Sequence, residues 1–164
     1  MSLFSWTARV YWEDTDGGGI VYYANYLRFL ERARTEWLRS LGRSQQELAR
    51  SPGILFAVAG LSIEYRRPAR LDDELVITCE PRGERAAAMR FAQRIERVPG
   101  APAGDSFADS PLGIPSLAAR SRSVVLGGEL LVEADVRVVC LDARTLRPKR
   151  LPEFLLEALP LERS

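Results

Sequence analysis

The chain has 164 residues, 46% of them hydrophobic, with 23 basic and 22 acidic side chains, a formal net charge of +1 and no histidine. That length suits one domain with its own core, and the even charge balance argues against a nucleic-acid partner, which usually selects a basic excess or stripe. Without histidine neither a Ser-His-Asp nor a Cys-His nucleophilic system can be built, so any general base is an Asp, Glu, Lys, Tyr or Cys.

No apolar run approaches the roughly 20 residues that span a bilayer. The first residues, MSLFSWTARVYWED, lack the basic and then apolar regions of a secretory signal. A cytoplasmic protein with no membrane span is expected. Cys79 and Cys140 sit in apolar, strand-like runs and read as buried, reduced thiols. Two cysteines are too few for an all-Cys zinc site, so no metal and no cofactor is expected.

In chain order, residues 6–13 (WTARVYWE) are rich in aromatic and β-branched types and predict a first strand. The loop that follows packs Glu13, Asp14 and Asp16 ahead of Gly17, Gly18 and Gly19. Tyr26, Leu27, Leu30, Ala33, Trp37, Leu38 and Leu41 then recur at helical spacing, predicting a helix over about 25–41 with Asn25 as its N-cap and Gly42 as its stop. Residues 44–50 predict a second, short helix capped by Ser44.

The remainder alternates with period two. Leu61, Ile63 and Tyr65 form one inward set; Leu75, Ile77 and Cys79 form the next. Met89, Phe91, Gln93 and Ile95 follow, then Leu130, Val132, Ala134, Val136 and Val138. This is the pattern of an antiparallel sheet with one wet face. ARLDDE (69–74) and PRGER (81–85) read as hairpin turns, and residues 152–159 as a short C-terminal helix. Residues 98–120, dense in Pro, Gly, Ala and Ser, read as an insertion, either loosely packed surface or a substrate lid or subunit contact. A sheet wrapped around one long helix gives a single α+β domain over 1–164. Its open edges call for pairing between subunits, so a homo-oligomer is expected.

Spacing alone leaves Asp16 either an Asx-type turn residue or a working carboxylate. The run RVYWEDTDGGGIVYYANYLRFLERARTEWLRSLG decides more. It resembles the signature of the 4-hydroxybenzoyl-CoA thioesterase family, most closely its Tol–Pal-associated, YbgC-like acyl-CoA thioesterase branch. The similarity continues through IEYRRPARLDDELVI and ELLVEADVRVVCLDARTLRPKRLP. The resemblance implies a hotdog fold, working as a homodimer or homotetramer, that hydrolyses an acyl-CoA to free acid and CoA. It implies Asp16, the second Asp of D-T-D, as the catalytic carboxylate, either nucleophile or general base. Glu31, in the ERAR run of the helix, is the second choice.

A thioester needs little more than this. Its departing thiolate has a conjugate acid near the Cys value of about 8.5, so the sulfur leaves without a general acid. The oxyanion needs backbone N–H donors. The helix start around Tyr23 and the 53–56 stretch with Leu55 and Phe56 are the candidates. Arg66, Arg67 and Arg82 are candidate ligands for the CoA phosphates, with Arg70 and Arg85 behind them. Glu13 and Asp14 are expected to face solvent or pair with arginines. Many close relatives carry a His where this chain has Tyr23, so no role of that His is carried over. An acyl-carrier protein is a further candidate partner. A non-catalytic module binding acyl thioesters or acyl-carrier protein is the alternative function. Dehydratases of the same fold rely on a His base as a rule, which argues against them here.

Overall fold

The computed structural model describes residues 3–99 and 127–160. All but the first two residues of the 98–120 insertion lie outside this range. The elements run β1 (Phe4–Arg9), a 3-10 turn (Trp12–Asp14), α1 (Asn25–Ser40), α2 (Gln45–Arg50), β2 (Ile54–Tyr65), β3 (Glu74–Arg85), β4 (Ala88–Arg97), β5 (Glu129–Asp142) and α3 (Glu153–Ala158). The strands form one antiparallel sheet in the order β1-β3-β4-β5-β2. One long helix on such a sheet is the expected α+β hotdog architecture.

α1 buries Tyr26, Phe29, Leu30, Ala33, Trp37 and Leu38, a stripe at 3.6-residue spacing. It packs on β3 and β1. Phe29 belongs to this stripe, whereas Leu27, expected there, is 38% exposed. Trp37 meets Phe91 of β4 edge to face, with ring centroids 5.2 Å apart. The core continues through Leu75 and Ile77 on β3, Ile95 on β4 and Val132 on β5, all fully buried. The opposite face is wet and ion-paired. Arg90 meets Asp135, Arg137 meets Glu84, and Arg94 lies 3.9 Å from Glu133. Such surface pairs contribute little individually, but they fix which face of the sheet is inside.

Five local expectations are corrected. Residues 69–74 make no hairpin, because the strands they join, β2 and β3, are separated in the sheet by β4 and β5. β1 ends at Arg9, not residue 13, because the Asp14 carboxylate draws the Tyr11 N–H into a tight turn (2.9 Å). The residue before α1 is Ala24, which has no side chain to cap; Asn25 instead donates from Nδ2 to the Asp14 carbonyl at 3.0 Å. Residues 81–85 belong to β3, and the hairpin turns at 86–87. Pro81 is tolerated there because β1 begins opposite Cys79, so among the described residues β3 has no outer neighbour to bond at Pro81. In β5 the register slips opposite the Ile95–Glu96 step, so Leu131 turns inward beside Val132 and is fully buried. The Ser44 cap stands as read: Ser44 and Glu47 form a reciprocal capping box. Gly42 takes the left-handed conformation after α1 (φ +74°).

Two outcomes follow from this core. Phe91→Ala removes the ring that Trp37 packs on, and should lower unfolding free energy by about 3–5 kcal/mol in urea titrations. Cys79 is fully buried, and burial pushes its thiol from the ordinary 9.0 up to about 12. It should resist a thiol reagent at pH 8 until the chain is unfolded. Below pH 9 the thiol is neutral in both folded and unfolded chains. As pH rises from 9 towards 12 only the unfolded chain ionises it, so stability falls across that window.

Candidate active site

The loop between β1 and α1 is held from both sides. On one side, the 69–73 turn pairs with it: Val10 N–H donates to the Asp73 carbonyl (2.9 Å) and Val21 N–H to the Ala69 carbonyl (2.9 Å). Ile20 forms a bridge with Arg70. That turn is fastened in its own right. Asp73, 6% exposed, accepts from Arg97 Nε and from Arg70 N–H, both at 2.8 Å, and Arg97 Nη2 donates to the Pro68 carbonyl at 2.7 Å. On the other side stands Asp14. It is 5% exposed, not on the surface as expected, and it has no arginine partner among the described residues. Its carboxylate holds Tyr11, and its carbonyl accepts from Tyr22 N–H (3.0 Å) and Asn25. Asp14 therefore joins the start of the loop to the start of α1.

Asp16 lies at the loop's exposed tip. Its N–H donates to the Ile20 carbonyl (2.9 Å), and its carbonyl accepts from Gly19 N–H (3.0 Å). Carboxylate Oδ1 accepts from Gly18 N–H at 2.8 Å. Gly19 takes φ +74°, a conformation that glycine adopts without strain. The Asx turn is thus present. Carboxylate Oδ2 has no partner among the described residues, and no Lys or Arg lies within ion-pair distance. The side chain is neither buried nor salt-bridged.

α1 begins nine residues further on. Tyr22 N–H is spent on Asp14, but Tyr23 and Ala24 N–H meet no acceptor among the described residues. These are the orphan donors of a helix start, and the helix dipole adds to their pull on an anion. Tyr23 is 62% exposed, and its carbonyl accepts from the Tyr65 hydroxyl at 3.0 Å. Its ring stands edge-on to Tyr65 and tilted against Tyr22. The hydrogen bond between the Tyr22 and Tyr23 side chains raises the Tyr22 pKa; burial raises those of Tyr26 and Tyr65. Tyr23, Tyr26 and Tyr65, with Val21, Arg66 and Arg67, line a groove of about 270 Å³. Tyr65 is the groove residue that a sequence reading passes over, since period-two alternation marks it only as core.

The other candidates separate. Arg66 is ion-paired to Glu133 (2.8 Å) and Glu64 (2.7 Å), and Arg67 to Glu129 (2.9 Å). Both still border the groove. Arg82 pairs with Glu80 (2.9 Å) on β3 and lines no part of it. Arg70, one bridge away from the Asp16 loop, has no carboxylate within ion-pair distance among the described residues. Leu55 and Phe56 open β2, opposite Leu141 and Cys140. Gly53 accepts from Ala143 N–H on the β5 side, and Cys140 N–H donates to the Ala87 carbonyl, away from β2. Ladder alternation therefore commits the Leu55 amide to β5 and turns the Phe56 amide to the open edge. Phe56 lines a second cavity, together with Glu31. Glu31 is exposed and accepts from the Thr35 hydroxyl at 2.6 Å. Among the described residues no helix is long and apolar enough to cross a membrane.

Comparison with known proteins places this arrangement. Residues 10–159 match the model of the thioesterase-like superfamily. The chain is 39% identical over 155 residues to the acyl-CoA thioester hydrolase YbgC of Escherichia coli, covering 94% of each. It is 48% identical over 94 residues to the acyl-CoA thioesterase YbgC of Haemophilus influenzae, covering 57% of this chain and 69% of that one. Among solved structures, a probable thioesterase from Bartonella henselae superposes with TM-score 0.70 at 29% identity, over 92% of this chain and all of the other. A 1,4-dihydroxy-2-naphthoyl-CoA thioesterase from Synechocystis superposes with TM-score 0.74 over 96% of each, at 22% identity, a likeness of fold. With its hotdog sheet, its long helix and its DTDGGG loop, the chain belongs to the thioesterase-like superfamily and, within it, to the branch of the YbgC thioester hydrolases.

Proposed function

We propose that the protein hydrolyses an acyl-CoA thioester to the free acid and CoA, with Asp16 as the reacting carboxylate. The observation that carries this reading is the pairing, at one pinned loop, of an exposed carboxylate with a free oxygen and two unspent N–H groups at the α1 start. Oδ2 of Asp16 either attacks the thioester carbon, giving an anhydride that water opens, or takes a proton from the water that attacks. The Tyr23 and Ala24 amides receive the oxyanion. The Phe56 amide, on an open strand edge, is a further donor of the same kind. Arg66 and Arg67 line the groove and suit the phosphates of CoA, although they must share their guanidinium groups with glutamates; Arg70, bridged to the groove residue Ile20 and without a carboxylate in ion-pair distance among the described residues, is a third candidate. Arg82, on the part of β3 that lines no groove, is the weaker candidate. CoA and acyl-carrier protein both present the acyl group on a phosphopantetheine arm, so either handle is compatible with this chemistry.

The working unit on this reading is a homo-oligomer. β2 is an edge strand of 12 residues, and an open edge of that length is a pairing surface. Beside it Val58, Leu61, Tyr65 and Tyr23 are 53, 43, 45 and 62% exposed. A second copy laid along β2 would bury these side chains and place its own Asp16 loop at the joint site.

Asp16→Asn should lower kcat at least 100-fold on whichever substrate wild type turns over best in a screen of short aliphatic, long aliphatic and aroyl-CoA thioesters. Its Tm should be unchanged. Tight acyl-CoA binding without turnover by wild type would instead favour the non-catalytic reading. In single turnover in 18O-water, label found in the Asp16 carboxylate identifies the nucleophile route; label found only in the product acid fits a general base or attack of water at the acyl carbon of the anhydride, and trapping of an acylated Asp16 by hydroxylamine separates these two. Leu61→Lys places a charge on the open face, and should reduce the solution mass to that of one chain and the activity at least tenfold.

A further inference from the structure

The two unspent N–H groups at the α1 start belong to two peptide units, and each unit is held by its carbonyl. A peptide unit is planar and trans, with its C=O and N–H pointing opposite ways. Tyr23 N–H shares its plane with the Tyr22 carbonyl, which accepts from Asn25 N–H at 2.8 Å. That tie is main chain to main chain, inside the first turn. Ala24 N–H shares its plane with the Tyr23 carbonyl. No backbone N–H among the described residues donates to that oxygen. Its donor is a side chain, the Tyr65 hydroxyl, at 3.0 Å.

Tyr65 is itself fixed from two sides. It closes β2 opposite Val132 of β5, so its main chain belongs to the sheet. Its ring is tilted against buried Tyr26 of α1 (centroids 5.6 Å) and edge-on to Tyr23 (6.4 Å). Burial and the neighbouring Tyr23 raise its phenol above the ordinary 10.0, so the hydroxyl stays a donor through neutral and mildly alkaline pH. Ala24 already has helical angles, φ −72° and ψ −21°, and its N–H points back out of the helix start. A bond to a peptide oxygen also polarises the N–H at the other end of that unit, by about 10–30%. The hydroxyl thus sets both the aim and the strength of the Ala24 donor.

We propose that Tyr65 is a positioning residue for thioester hydrolysis: through the Tyr23 carbonyl it orients and polarises the Ala24 N–H that receives the oxyanion. This rests on the reading of the α1 start as the oxyanion site. Tyr65 transfers no proton and need not touch the reacting atoms.

Tyr65→Phe keeps the ring, the groove wall and the packing on Tyr26, and removes the hydroxyl alone. On the acyl-CoA that wild type turns over best, kcat should fall about tenfold, a fraction of the roughly 10²–10³ lost with a whole oxyanion donor. KM should stay within about twofold, with Tm and solution mass unchanged. Ala24→Pro deletes the donor itself; φ −72° suits proline, and a helix start tolerates it. It should lower kcat about 100-fold. Tyr65→Phe added to it should cost no more than about a further twofold, since a residue acting through the Ala24 N–H then has nothing to act on. The infrared stretch of benzoyl-CoA labelled with 13C at its carbonyl gives a reading without turnover. Bound to Asp16→Asn, the stretch should move to higher frequency when Tyr65→Phe is added, because the carbonyl is less polarised. An unchanged kcat in Tyr65→Phe, a loss that comes with a lower Tm, a tenfold loss that persists in Ala24→Pro, or an unmoved stretch overturns the proposal. A wild type without turnover, or turnover that survives Asp16→Asn, fails the Asp16 reading instead, and the stretch then decides Tyr65 on its own.

Discussion

One helix is too narrow for the sheet it packs on. An α-helix is about 10 Å across with its side chains, while five strands about 4.8 Å apart span roughly 24 Å. α1 therefore covers about half of the inward face, and it sits on β1, β3 and the adjoining part of β4. The β2 end is left with apolar residues that nothing among the described residues covers, Val58 and Leu61 above all. The cavity beside Arg34 and the groove beside Tyr65 both lie where that cover runs out. The fold thus generates its open surfaces by a mismatch of widths.

The same sheet holds the loop that matters most. Three glycines in a row are the most flexible backbone in the chain, yet Asp16 sits in a fixed turn. Its rigidity comes from neighbours distant in sequence. Arg97, at the end of β4, holds Asp73; the 69–73 turn holds Val10 and Val21; and Asp14 spans from Tyr11 to Tyr22. Tyr26 adds a strut from α1, accepting the Ala69 N–H at 2.9 Å. Charge-assisted bonds of this kind contribute about 1.5–3 kcal/mol each, enough to hold the loop against the freedom of its glycines. Of the three carboxylates in the run, Asp14 is structural and Glu13 and Asp16 are exposed.

What was legible in the sequence was what has a local period. Helical spacing found α1 to within a residue, and alternation found the inward sides of β3 and β4. The failures share a cause: they are long-range. Pro81 reads as a turn unless one knows that β1 starts only opposite Cys79. Leu130 and Leu131 are interchangeable until pairing with β4 sets the bulge. Asp14 looked solvent-facing because its partners are backbone groups at Tyr11 and Tyr22, which no composition marks. Within the ERAR run the sequence does not tell Arg34 from Arg32, and only Gln93, 59 residues away, separates the two. Asp16 is singled out by its motif alone; its spacing stops at the Asx turn, and that turn is there.

Position 23 shows why a departure from the family pattern need not change the chemistry proposed. Relatives often carry His at this point; this chain carries Tyr. An imidazole offers a proton carrier near neutral pH, and a phenol does not. Yet in the proposed chemistry Tyr23 acts on the thioester carbonyl through its main-chain atoms. The N–H is unspent, and the carbonyl is fixed by the Tyr65 hydroxyl. The side chain stands outside, edge-on to Tyr65, as a wall of the groove. Exchange of one ring for the other alters what the groove admits and leaves the donor geometry of the α1 start in place. If Asp16 is the reacting carboxylate, as proposed, it needs no histidine beside it to act on a bond whose sulfur leaves unprotonated, and that makes the exchange chemically tolerable.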